Sequence, residues 1–323
     1  MQQPPSDIKS LNTLKERTAR LSVISNTGLV LLKFFVGLSI GSVSIISEAI
    51  HSSMDLVASV IAFFSVRKSA EPPDAGHSFG HGKFEDMSGL IEAVLIFAAA
   101  LLIIIEATKK LLGGEADPFP PELLLVGIGV MGISALVNWV VSERLMTVAK
   151  KSGSIALESD AWHLRTDVYT SLGVFAGLIL IRLTGITIFD SLVALCVAVV
   201  ILRAAYDLTK RSFADLIDHS IPVEEENRIR QIICEHESSY AGFHDLKTRR
   251  SGPEVFIDFH LVVPGDISVT QSHDLTDHLE ADLTTEFPRS AITIHVEPCN
   301  EGCTRCGSFC TFYKKRDAKD HRQ

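Results

Sequence analysis

The chain has 323 residues, 46% of them apolar, with a mean hydropathy of +0.26. Its formal charge of −9 and pI near 5.7 give no support to nucleic-acid binding, which needs a basic surface. Apolar residues concentrate before Leu216 and the remainder is polar, which predicts a membrane part followed by a soluble part.

Residues 1–17 read as a cytoplasmic polar tail, too long and too polar for a cleavable signal peptide. Six apolar segments follow: Leu21–Gly41, Ser44–Val66, Met87–Leu112, Glu122–Leu145, Ala156–Leu183 and Ile188–Leu208. Each is long enough to cross a bilayer as a helix, so residues 18–210 are expected to form an all-α six-helix membrane bundle. Lys9, Lys15 and Arg17 precede the first span, and Arg67, Lys68 and Lys83 lie between the second and third. Arg144, Lys150 and Lys151 lie between the fourth and fifth, and Lys210 and Arg211 follow the sixth. Basic residues favour the cytoplasmic side, so both termini are expected there.

The second span, SVSIISEAIHSSMDLVASVIAFFSV, carries Glu48, His51 and Asp55 near its middle. An ionisable residue at membrane depth is expensive and by default marks an ion or proton path. His51 and Asp55 are four apart and share a helix face, and the fifth span repeats the spacing with His163 and Asp167. Two helices, each offering an imidazole and a carboxylate, can surround a divalent cation such as zinc. The plainer alternative is that each is a polar residue bridging helices. Glu92 and Glu106 in the third span suggest no role.

After the second span, Pro72 and Pro73 stop the helix. Asp74, His77 and His81 follow in a glycine-containing loop that can fold around an ion, or remain solvated.

Residues 211–298 read as a soluble α+β domain. Val223–Glu237 is an amphipathic helix with Ile229, Ile232 and Ile233 inward. Phe243–Arg250 and Glu254–Val263 are strands joined by Ser251–Gly252–Pro253. Val269–Phe287 is a helix, and Ala291–Glu297 a strand with Ile292, Ile294 and Val296 on one face. This order suits a two-layer ferredoxin-like domain. His244, His260, His273 and His295, with Asp258 and Glu297 among them, together read as a second metal-binding region, or singly as surface histidines. Residues 299–323 form a tail in which Cys299, Cys303, Cys306 and Cys310 are spaced as ligands for zinc or an iron–sulfur centre.

HSSMD, DAGHSFGHGK and HLRTD in the membrane part, with HDLKTRRSGPEVFIDFHL and ITIHVEPC in the soluble part, carry a resemblance. Over nearly the whole chain the sequence resembles the cation diffusion facilitator family, close to its bacterial zinc/proton antiporters. The resemblance implies a homodimer in the bacterial inner membrane, six spans per subunit, a cytoplasmic metal-sensing domain and exchange of metal for protons. It implies zinc both as cargo and as regulatory ligand. Residue by residue, His51, Asp55, His163 and Asp167 match the transport site, and Asp74, His77 and His81 the loop site. His244, His260, His273 and His295 match the cytoplasmic binuclear region, with Glu297 where related exporters have Asp. Lys83 and Asp218 match an interlock that holds the dimer. Several relatives carry Asp where this chain has His51, so the site favours zinc over iron or manganese. The cysteine cluster lies largely beyond the family's usual end, and no role transfers to it.

An intramembrane metallohydrolase is disfavoured. It needs an open coordination position and a general base, and HEXXH is absent from EAIHSSMD. A metal-gated channel or a flux-free sensor stays open on the residues alone.

Overall fold

The apolar runs become long helices. The computed structural model describes residues 6–40, 43–112, 124–184, 188–265 and 267–299. The helices of the first compact unit, which ends at Leu216, are α1 (Ser6–Ile40), α2 (Val43–Ser69), α3 (Lys83–Leu111), α4 (Leu124–Ser152), α5 (Ile155–Thr184) and α6 (Ile188–Leu216). Helix α1 begins at Ser6, inside the segment that the sequence marks only as a polar tail; its charged first turns extend the apolar run by continuing its hydrogen bonds.

Among the described residues three stretches are long and apolar enough to cross a membrane: Ile8–Ser39, Lys83–Lys109 and Ser191–Leu216. The interior of the unit mixes small and polar residues, among them Ala58, Ala62, Ala93, Ala100, Ser59, Asn138 and Asp160, with large apolar ones such as Ile96, Leu145, Leu157 and Leu164. Other large apolar side chains face outward, Phe35, Leu102 and Leu136 each at least 65% exposed. Exposed side chains of that kind suit a bundle solvated by lipid, with small residues where helices approach closely. Helix α1 packs on α2, α3 on α6 and α4 on α5. Gly89 is needed for the α3–α6 contact, since a Cβ there would stand 2.9 Å from Ser212 Oγ. Gly173 serves α5 and α6 alike: its Cβ would meet Val197 Cγ2 at 2.8 Å.

One buried ion pair ties four parts of this unit. Glu85, in the first turn of α3, accepts from Lys15 Nζ of α1, Ser69 Oγ at the end of α2 and Ser154 Oγ just before α5. Lys15 and Glu85 side chains are 1% and 0% exposed, so the carboxylate is held by donors rather than water.

The second unit contains α7 (Val223–Glu235), β1 (Gly242–Ser251), β2 (Glu254–Pro264), α8 (Val269–Glu286) and β3 (Ser290–Cys299). The sheet order is β1-β2-β3, with β2 antiparallel to β1 and parallel to β3. The parallel pair requires a crossover, which α8 supplies. Ser268 caps α8, its hydroxyl accepting from Gln271 N–H while the Gln271 side chain accepts from Ser268 N–H. Alternation along β2 sends Val255, Ile257, Phe259 and Leu261 into a core with Ile229, Ile233, Leu279 and Leu283. Ile292, Ile294 and Val296 of β3 close it. The opposite sheet face therefore carries the even-numbered polar residues of β2.

Candidate metal centres

Helices α2 and α5 bring the first pair of chemical groups together. His163 Nε2 stands 3.1 Å from Asp55 Oδ1, with Asp55 only 6% exposed. Asp167, one turn along α5, accepts from Asn138 Nδ2 of α4 at 3.2 Å. Asp55 and Asp167 line one cavity of about 150 Å³, shared with Lys33, Ser52, Asn138 and Thr170. His51 lies on α2 one turn before Asp55, but its side chain is outside the described residues, as is that of Glu48. The helices thus present two carboxylates to one interior space, with the His163 imidazole against one of them.

Three groups at this site are invisible to spacing arguments. Lys33 of α1 is 4% exposed and donates to Ser52 Oγ at 2.6 Å. A lysine inside the apolar run LVLLKFFVGL was the available signal. Asn138 orients Asp167 from a third helix. Asp160, one turn before His163, is fully buried, as is Glu92 of α3.

The loop after α2 is built on an Asx turn. Asp74 Oδ1 accepts from Gly76 N–H at 2.8 Å and His77 N–H at 2.7 Å. The His77 N–H bond, then that of Gly76, hold the carboxyl below the usual aspartate range. Gly80 takes φ of 84°, the left-handed turn that brings His81 back toward Asp74. His77 Nδ1 lies 3.2 Å from Asp74 Oδ1, and His81 Nε2 lies 3.2 Å from Asp74 Oδ2. His81 is 2% exposed and neither ring nitrogen makes a hydrogen bond of ordinary geometry among the described residues. One donor atom from each of the three falls within 4.8 Å of the others, a set that suits a divalent cation.

In the second unit the sheet register makes a row. His244 of β1 pairs with His260 of β2, and His260 with His295 of β3. Ring centroids are 5.1 Å and 4.8 Å apart along it. Glu297 crosses the row: its carboxylate is 2.9 Å from His260 Nδ1, 3.2 Å from His244 Nε2 and 3.8 Å from His295 Nε2. The bond from His260, then that from His244, hold the Glu297 carboxyl below its ordinary range. His244, His260 and Glu297 offer donor atoms within 4.8 Å of one another. His273 stands on α8, 3.4 Å from Asp277, outside this cluster. Asp258 pairs in register with Lys247.

Asp245 is an addition that only the fold supplies. A bulge between His244 and Lys247 puts Asp245 at φ of 55° and its carboxylate 3.7 Å from His260 Nε2. Lys83 donates to the Leu216 carbonyl, and Asp218 accepts from Arg249. Cys299 ends β3; Cys303, Cys306 and Cys310 lie outside the described residues.

Comparison with known proteins is consistent along the chain. Residues 19–217 match the model of the cation efflux transmembrane domain, and residues 221–299 that of the cation efflux protein cytoplasmic domain. An uncharacterized transporter of Synechocystis is 35% identical over 81% of this chain and 83% of its own. The cation-efflux pump FieF of Cronobacter sakazakii is 32% identical over 89% of this chain and 94% of its own. A solved chain of a candidate zinc transporter, CzrB, is 48% identical over 25% of this chain and all of its own, with a TM-score of 0.25. The chain is a membrane protein and belongs to the cation efflux, or cation diffusion facilitator, family of transporters.

Proposed function

We propose that the chain exports zinc from the cytoplasm in exchange for protons, as a homodimer in the bacterial inner membrane with both termini cytoplasmic. The observation that carries the reading is the meeting of Asp55 and His163 across α2 and α5, with Asp167 in the same cavity. His51 completes the set from α2. Two carboxylates neutralise a divalent ion, which lets the charge be tolerated at membrane depth. Two imidazoles make the donor set softer than one built of oxygens alone, which favours zinc.

Zinc needs neutral imidazoles, so protons and metal compete for His51 and His163. Binding from the cytoplasm, followed by proton uptake from outside, then drives export. Rocking of helix groups around a central site is the common solution in transporters, and six spans per subunit provide those groups. The loop set Asp74, His77 and His81 holds a further ion beside the entrance to α3. His244, His260, His295 and Glu297 sense cytoplasmic zinc. Lys83 and Asp218 interlock the subunits, and the tail thiols Cys299, Cys303, Cys306 and Cys310 hold zinc or an iron–sulfur centre.

Zinc uptake into proteoliposomes under an imposed pH gradient tests the reading. Asp167→Ala should abolish flux while the protein still elutes as a folded dimer. Normal flux in that variant, or zinc movement without any proton movement, would refute the assignment.

A further inference from the structure

The spacing His-x3-Asp occurs in both membrane pairs and twice more in succession on α8, as His273–Asp277 and His278–Asp282. The second of these meets a third donor. His236 follows α7 as its cap residue, its N–H donating to the Cys234 and Ile233 carbonyls. Its Nε2 lies 2.8 Å from Asp282 Oδ2, and its ring stands perpendicular to that of His278 at 5.1 Å between centroids. One donor atom from each of His236, His278 and Asp282 falls within 4.8 Å of the others.

The frame that aims these groups is rigid. Leu279 and Leu283, each next to a donor on α8, are fully buried in the domain core. Ile233 is equally buried, and its carbonyl accepts from Tyr240 Oη at 2.8 Å, fixing the chain on both sides of His236. The end of α7 also presents the negative pole of its helix dipole, which favours a cation. A simple ion pair needs His236 and Asp282 alone; the perpendicular second imidazole is the additional feature. Zinc–donor bonds of about 2.0–2.1 Å place tetrahedral donors about 3.3 Å apart, so modest side-chain rotation closes the set.

We propose that His236, His278 and Asp282 form a mononuclear site for a divalent cation of the zinc class, with a fourth position open to water. The site ties α7 to α8. It shares no residue with the His244–His260–His295 row, which lies on the sheet face opposite the core. Nothing in it depends on the transport reading.

Full-length protein in detergent, stripped with a chelator and dialysed against a zinc buffer, provides the test. His278→Gln and Asp282→Asn should each lose one bound zinc per chain. Both positions are at least partly exposed, so the fold should survive, and an unchanged melting profile in the stripped state checks this. The double variant His244→Ala/His260→Ala should keep the zinc that those two variants lose. With cobalt(II), the parent should show a visible band that His278→Gln removes and the double variant retains. Unchanged zinc content in both single variants would overturn the proposal. So would loss of the same ion in the double variant, which would assign it to the strand row.

Discussion

Lys33 puts a fixed positive charge in the cavity that holds Asp55 and Asp167. Its Nζ is bonded to Ser52, one turn from Asp55, so it sits within roughly 10 Å of an ion between the carboxylates. At an effective dielectric constant of about 20, a unit charge repels a divalent ion at that range by about 3 kcal/mol. The interaction of Lys33 with the carboxylates exists before and after metal binding and largely cancels. A flexible side chain in a solvated cavity relieves part of the repulsion, so about half of it should be recoverable. Lys33→Met should therefore tighten zinc binding roughly tenfold, because ~1.4 kcal/mol is a factor of ten. Isothermal titration of the purified protein measures the affinity, and proteoliposome flux measures its consequence: KM should fall while release becomes slower. Lys33→Arg keeps the charge and should keep the parent affinity. Unchanged or weaker zinc binding in Lys33→Met would refute the electrostatic argument and remove Lys33 from the site.

His51→Asp should make the transport site harder, raising the share of manganese or iron carried against zinc in competition flux; an unchanged ranking would exclude His51 as a selectivity ligand. Glu85→Ala strands the Lys15 ammonium and leaves two hydroxyls without their acceptor, at about 3–5 kcal/mol. Thermal unfolding in detergent should show a large loss for that variant, whereas Lys15→Met/Glu85→Met, which removes both charges, should lose much less. Equal losses would contradict the ion-pair account. His260→Ala/His295→Ala should weaken activation of flux by cytoplasmic zinc more than flux at saturation; a uniform reduction would deny the row a sensing role.

Membrane and soluble parts were legible from composition, because hydropathy and strand alternation are local properties. The strands and helices of the second unit fall within two residues of their sequence limits, and Ile292, Ile294 and Val296 face the core as alternation requires. The His-x3-Asp spacing places each pair on one face of its own helix, and the contact of Asp55 with His163 is added by the packing of α2 on α5. What stayed hidden depends on tertiary contact. Glu85 reads as an ordinary first-turn acid until α1, α2 and the start of α5 converge on it. Asp245 reaches His260 only through a bulge, and a bulge leaves no mark in a two-residue period. His236 caps α7 and Asp282 lies on α8, and only packing on a common core brings them into contact.

The strand register of the histidine row has a consequence for folding. Among the described residues β3 is the last strand and an edge of the sheet, and its pairing with β2 must wait for the whole of α8 to be placed. Such non-local pairing closes last and frays first, because its loop entropy must be overcome before any contact forms. An ion shared between His260 and His295 would clip the two ends of that loop together. Because the pairing is in register, the clip also distinguishes the native alignment from a one-residue slip, which would turn His295 to the other face. At free metal about 100 times the dissociation constant, such a ligand stabilises the closed state by ~2.7 kcal/mol. Amide exchange along Ser290–Cys299 should then slow as zinc rises, making the order of the final strand a continuous gauge of metal supply.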